Sequence, residues 1–146
     1  MRNATQKSRE PIFLSILEAR SLSYGAHQQK ETSMTTPQIS QDPLYQMLRH
    51  DDVEGFNRAR QAGTACDLRG CDLRGLDLRK LELAGMDLTD AYFRGADLRG
   101  IDFRGCRLDG ASLADAKISG CYFPVEIRAE EIFLSVTHGI RLRHPE

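Results

Sequence analysis

Apolar residues recur along the middle of this chain with a period of five. From Cys66 to Phe123, the positions Leu68, Leu73, Leu78, Leu83, Leu88, Phe93, Leu98, Phe103, Leu108, Leu113, Ile118 and Phe123 form an unbroken series of twelve large hydrophobes. Two residues before each lies a second apolar residue: Cys66, Cys71, Leu76, Leu81, Met86, Ala91, Ala96, Ile101, Cys106, Ala111, Ala116 and Cys121. Between them stand Asp67, Asp72, Asp77, Glu82, Asp87, Tyr92, Asp97, Asp102, Arg107, Ser112, Lys117 and Tyr122. Alternate side chains of an extended segment point to opposite faces, so each unit buries its two apolar residues and turns the middle one to water. Alternation has a period of two, and a unit of odd length would reverse its faces at every repeat unless the chain turned between units. Glycine ends eight of the twelve units, among them Gly70, Gly75 and Gly100, and admits the backbone angles such a turn needs. A long strand or helix is thereby excluded. The pattern predicts a winding chain whose coils stack about 4.8 Å apart, like parallel strands, each burying its inward residues on the next.

The unit Ala96-Asp97-Leu98-Arg99-Gly100 resembles that of the pentapeptide repeat family, whose consensus is Ala, Asp or Asn, Leu and two variable residues. The resemblance covers about forty per cent of the chain. It implies an all-β solenoid core, a right-handed quadrilateral parallel β-helix with four units to a coil and therefore about three coils. Coils of twenty residues would place Leu83, Phe103 and Phe123 in one interior column and Leu73, Phe93 and Leu113 in another. Leu76, Leu81, Met86 and Ile101 stand where the family usually has a small residue. A slightly wider or distorted coil is expected in the first half, where three of them lie.

The flanks have other periodicities. Residues 1–41 are rich in Ser, Thr and Gln and carry five basic and three acidic side chains, which predicts a flexible N-terminal extension. Within it, Met34-Thr35-Thr36-Pro37 reads as an ordinary translation start, and Asn3-Ala4-Thr5 fits a glycosylation sequon of little meaning in a cytoplasmic chain. The apolar stretch 11–17 is flanked by Glu10, Glu18 and Arg20, which argues against a signal peptide. A helical N-terminal cap is predicted over 42–64. Asp42 is a good N-cap with Pro43 behind it, Leu44, Met47 and Leu48 share a face, and Asp51 or Asp52 starts a second helix with Val53, Phe56 and Ala59 that Gly63 ends. The repeat then occupies 65–124. A C-terminal cap follows over 125–146: Glu130 and Glu131 suit a first helical turn, Ile132, Phe133 and Val136 would pack, and Gly139 is the stop. The alternative there is a hairpin of Ile132, Leu134 and Val136 against Ile140 and Leu142. Such caps would cover the open ends of the coil stack, whose backbone groups otherwise invite another strand.

Composition narrows the chemistry. A length of 146 residues suits one domain, and nothing approaches the roughly 18 consecutive apolar residues of a membrane span. All four cysteines occupy inward repeat positions, as small buried hydrophobes in a reducing cytoplasm would. Cys66 and Cys71 lack the spacing and the histidine partners of a metal site, and no metal or cofactor is expected. The repeat carboxylates belong to an outward position on a convex surface, with no cleft to shift their pKa values. His50, His138 and His144 accompany no nucleophile motif, and no glycine-rich loop precedes a helix. No catalytic residue is assigned, and the chain reads as a non-enzyme.

The outer surface remains. Arg69, Arg74, Arg79, Arg94, Arg99 and Arg104 each follow a central hydrophobe, and a twenty-residue coil would stack Arg74 over Arg94 and Arg79 over Arg99. Parallel acidic columns such as Asp77 over Asp97 would form a lattice of exposed ion pairs, each contributing little. The functional expectation is a docking face for an acidic protein partner, with Arg74, Arg79, Arg94, Arg99 and Arg104 as the candidate interaction surface. The resemblance also implies an alternative, since the best-known activity in the family is inhibition or protection of DNA gyrase by a negatively charged mimic of duplex DNA. Residues 66–123 carry ten acidic and nine basic side chains, a net of one negative charge, and three coils span only about 15 Å. A rod so short and so nearly neutral suits neither a DNA mimic nor direct nucleic-acid binding. A protein-interaction or scaffolding module is the leading expectation.

Overall fold

A computed structural model describes residues 36–144. The readings made for residues 1–33, the stretch 11–17, the sequon at Asn3 and the start at Met34 lie outside the described residues.

In the repeat, the chain returns to its own backbone every twenty residues. Parallel bridges join Asp72 to Tyr92, Asp77 to Asp97, Asp87 to Arg107, Tyr92 to Ser112, Asp97 to Lys117 and Asp102 to Tyr122. Between bridges the units end in tight turns, in nearly all of which the first amide of the next unit donates to the carbonyl of the central hydrophobe. Ala96 N to Phe93 O at 2.9 Å and Ile101 N to Leu98 O at 3.1 Å are examples. The residue at the third place of these turns is left-handed, as at Gly95 (φ 68°) and Gly100 (φ 80°), the conformation a type II turn demands. Lys80, Asp90 and Asp115 adopt it too, with φ of 69°, 60° and 55°, so the turn persists where glycine is absent. At Gly110 glycine serves a second purpose, because a Cβ there would meet the Asp90 carboxylate and force that side chain to move.

Stacked strands were expected, and isolated bridges are found: no extended strand occurs among the described residues. The reason is geometric. Each five-residue side spends its last two residues turning, which leaves about one residue to pair with the coil above and below.

The interior is filled as the five-residue pattern requires. Leu68, Leu73, Leu78, Leu88, Phe93, Leu98, Phe103, Leu108 and Leu113 are wholly buried, and Ile118 and Phe123 at the end of the run are partly so. Phe103 packs edge-on against Phe93, centroids 6.0 Å apart, and stacks on Phe123 at 5.4 Å. Of the four oversized residues, Leu81, Met86 and Ile101 are buried in this core, while Leu76 is partly buried. Cys71 and Cys106 are buried and Cys66 and Cys121 half-buried, all as free thiols.

Among the described residues two short helices precede the coils, α1 (Pro43–Arg49) and α2 (Val53–Gln61), and α3 (Ala129–His138) follows them. The Asp42 carboxylate accepts from Leu44 N at 2.8 Å and Asp52 from Gly55 N at 2.8 Å, so each aspartate satisfies a first-turn amide. Leu44, Leu48 and Phe56 are buried as their spacing requires, and Tyr45, which helical phase alone did not single out, is wholly buried as well. Its hydroxyl donates to Asp72 O at 2.8 Å. In α3, Ile132 and Val136 pack partly against the core, but Phe133, expected to pack with them, is 62% exposed. The fully buried residue of α3 is Ser135, while Phe133 lies away from the coil. Gly139, left-handed at φ 70°, ends this helix.

The residues flanking the repeat supply hydrogen bonds that a further coil would otherwise provide. Gln38 lies in the stretch expected to be flexible to residue 41, yet it is bridged in parallel to Cys71. Its amide donates to Gly70 O, and its carbonyl accepts from Asp72 N, both at 2.8 Å. A single pairing residue uses only backbone atoms and so leaves no hydrophobic pattern to read. On α2, the Asn57 side chain copies a peptide group, donating to Lys80 O at 2.8 Å and accepting from Glu82 N at 2.9 Å. At the other end, Leu113 N donates to Ser135 Oγ at 2.9 Å, Asp115 N to Val136 O at 2.9 Å and Gly110 N to Leu142 O at 2.8 Å. Unpaired edge groups are thereby capped by side chains and irregular backbone rather than by more repeats.

Candidate interaction surface

Residues i and i+2 of an extended unit point the same way, so an Asp before the central hydrophobe and an Arg after it stand side by side on the outside. Five of the six arginines that follow a central hydrophobe use this arrangement. In Asp97-Leu98-Arg99, the Asp97 carboxylate accepts from Arg99 N at 3.3 Å, Nε at 2.8 Å and Nη2 at 2.6 Å. The same three-point pattern joins Arg69 to Asp67, Arg74 to Asp72, Arg79 to Asp77 and Arg104 to Asp102. The amide contact fixes the carboxylate as an Asx turn, and the fork then fixes the guanidinium. Nε and Nη2 are the side-chain donors engaged in these forks, and each of these arginine side chains stays about half exposed.

The columns are laid out as the twenty-residue coil dictates. Asp77 bridges to Asp97, which carries Arg79 and Arg99 into one column, and Arg79 Nε lies 3.6 Å from Asp97 across the coils. Asp72 bridges to Tyr92, which stacks Arg74 and Arg94. Arg104 is on another side of the coil, where its guanidinium covers the Tyr122 ring at 4.5 Å. The candidate arginines thus fall in two columns, with Arg104 apart from both.

Arg94 is the exception to the fork. Tyr92 holds the aspartate position of its unit, and the nearest carboxylate is Asp115 at 3.9 Å, both side chains about 70% exposed. Tyr92 instead carries the Arg141 guanidinium over its ring at 4.8 Å and hydrogen bonds to it through its hydroxyl. Arg141 also donates to Gly110 O at 2.7 Å, so this tyrosine helps to tie the C-terminal segment down.

Electrostatics follow the forks. The Arg99 hydrogen bonds hold the Asp97 carboxyl at about 2, and those of Arg104 hold Asp102 at about 2. Asp67, Asp72 and Asp77 are lowered by their own arginines in the same way. Asp90 goes in the other direction, because burial outweighs the attraction of Arg141. Burial raises the thiols, Cys66 to about 12 and Cys71 to about 11, which makes them poor nucleophiles at neutral pH. Among the described residues no cluster of three or more His, Cys, Asp or Glu side chains is placed to hold a metal ion. No helix among them is long and apolar enough to cross a membrane.

Arg49, at the end of α1, was not singled out by sequence, yet it faces the same groove as Arg74 and Arg94. Its position after Leu48 on a predicted helix was legible. Its nearness to the repeat was not, because that depends on how α1 sits on the first coil.

These features define a repeat protein with a filled interior and an ordered, charge-paired exterior. The family profile described as Pentapeptide repeats (8 copies) matches residues 64–91 and 87–123, so that span of the chain consists of pentapeptide repeats. Members of the family generally form a right-handed quadrilateral β-helix and are generally non-enzymatic. No curated protein and no solved structure matches the chain.

Proposed function

We propose that this protein is a non-catalytic, cytoplasmic protein-interaction module. Its repeat winds as the family's right-handed quadrilateral β-helix and docks an acidic protein partner on the arginine columns. The observation that carries this reading is the Asp-x-Arg fork. It holds Arg74, Arg79, Arg99 and Arg104 in fixed positions with each side chain still about half exposed, so a partner's carboxylates would meet donors whose ordering cost is already met. The same forks weigh against a DNA mimic. Such a mimic needs unneutralised acidic columns, whereas Asp67, Asp72, Asp77, Asp97 and Asp102 are each tied to an arginine of their own unit.

The test compares the full chain with the variant Arg74→Gln/Arg79→Gln/Arg94→Gln/Arg99→Gln in capture from the source cell. The reading expects the variant to keep its native circular dichroism spectrum at the assay temperature and to lose the captured partner, since Gln keeps most of the reach and loses the charge. Unaltered capture would reduce the columns to solvated surface. Inhibition of gyrase supercoiling by the full chain at low salt would favour the mimic instead.

A further inference from the structure

Arg94 and Arg49 lack the two-point carboxylate fork that holds Arg69, Arg74, Arg79, Arg99 and Arg104. Twenty residues before Arg94 stands Arg74, whose Nε and Nη2 are held by an Asp72 side chain only 10% exposed. Beyond Arg74 the end of α1 brings in Arg49, which is exposed and makes no ion pair within 4.0 Å among the described residues. The three arginines line one open groove of about 520 Å³, together with Gly75, Gly95, Asp72 and Asp115. Gly75 and Gly95 present bare backbone with open space above it, so another chain can approach closely. Three guanidiniums face two carboxylates there. One carboxylate is committed to Arg74, and the other reaches Arg94 only at 3.9 Å.

We propose that this groove is the acid-reading part of the docking face and takes an extended Asp/Glu-rich segment of the partner protein. The inference rests on the docking reading above and narrows it from two columns to one groove. Arg94 and Arg49 each receive a carboxylate at two points, and Arg74 stands between them as a pre-positioned donor. The spacing favours a peptide over a single phosphate group. Arg74 and Arg94 step along the coil stack by about 4.8 Å, and Arg49 reaches the same groove from α1, so the charges are spread over separate elements rather than built into one anion cradle. A nucleic acid is disfavoured because the repeat as a whole carries no positive excess.

The experiment is fluorescence anisotropy of a labelled octaglutamate peptide against the full chain in low salt. The wild-type chain is expected to bind, and Arg49→Gln/Arg94→Gln to bind at least about tenfold more weakly, because two charge-assisted contacts are lost. Asp115→Asn is expected to tighten binding about twofold by removing the competitor for Arg94. The control Arg79→Gln/Arg99→Gln should change affinity less than about threefold. Equal affinity for wild type and Arg49→Gln/Arg94→Gln, or no binding by the wild type, overturns the groove. A loss confined to Arg79→Gln/Arg99→Gln also overturns the groove, but leaves docking by the arginine columns standing. Failure of the docking reading itself would show separately, as capture of the partner by the four-glutamine variant.

Discussion

Replacing Phe103 by Ala tests the interior register, because its cost depends on which coil the ring belongs to. Phe103 is wholly buried, with the Phe93 ring edge-on at 6.0 Å and the Phe123 ring stacked at 5.4 Å. Truncating a phenylalanine so enclosed removes its transfer free energy and leaves a cavity that a coil held from both sides closes only in part, a cost of about 3–5 kcal/mol. Phe123 occupies the same column one coil later, at the end of the stack and partly exposed. Its removal forfeits one stacking contact and some area but opens no enclosed hole, about 1–2 kcal/mol. A folded part of this size has a total stability of roughly 5–15 kcal/mol. Phe103→Ala should therefore lower the melting temperature by ~15–30 °C and Phe123→Ala by less than about half as much. Thermal denaturation followed by circular dichroism on both variants and wild type gives the comparison directly. Equal losses, or a larger one at Phe123, would mean that the column is misassigned and that the twenty-residue coil does not place Phe103 inside.

Three further outcomes are expected. Ser135→Ala should cost about 1–3 kcal/mol in urea denaturation, because it leaves the buried Leu113 amide without its acceptor; no change would show that this end of the stack has no need of a cap. Acid should destabilise the fold as pH falls from about 4 to about 2. The fork aspartates ionise more readily folded than unfolded, so their contribution is complete above the unfolded value near 3.8 and is lost on passing the folded value of about 2 at Asp97 and Asp102. Arg99→Gln/Arg104→Gln should flatten that part of the stability curve, and an equal acid slope in the variant would remove the forks as its cause. Iodoacetamide at pH 8 should alkylate native Cys71 about a hundredfold and Cys66 about a thousandfold more slowly than the unfolded chain, since their thiols are held at about 11 and about 12; equal rates would mean that these side chains do not face inward.

Much of the coil was legible because its information is periodic. The central hydrophobes, the outward aspartates and the final glycines each repeat at one offset, and a register set by twelve units leaves little freedom. The left-handed turn at Lys80, Asp90 and Asp115 is legible for the same reason, as their neighbours impose it. The ends were read less completely. Asp42, Pro43 and Gly139 announce where helices start and stop, but Tyr45, Asn57 and Ser135 act through single hydrogen bonds to the coil, and no periodicity marks them. Phe133 shows the converse, an apolar residue within a helical pattern that faces solvent at 62% exposure. On the surface, the offset of two between Asp and Arg contains the fork, and the absence of Asp from the unit of Arg94 marks its exception. Arg49 joins that groove only through the tertiary placement of α1.

Everything said of the arginine columns depends on the chain returning to the same side every twenty residues, and one pair of cysteines measures that return. Asp77 and Asp97 are bridged in parallel and both point outward. Adjacent strands bring such residues to about 4.8 Å between Cα atoms, within the range a disulfide spans. Asp77→Cys/Asp97→Cys should oxidise readily to an intramolecular disulfide, read as mass loss and faster migration on a non-reducing gel. Asp77→Cys/Asp102→Cys, displaced by one side of the coil, should remain reduced under the same conditions. A disulfide in the second variant and none in the first would contradict the twenty-residue coil and dissolve the columns built on it.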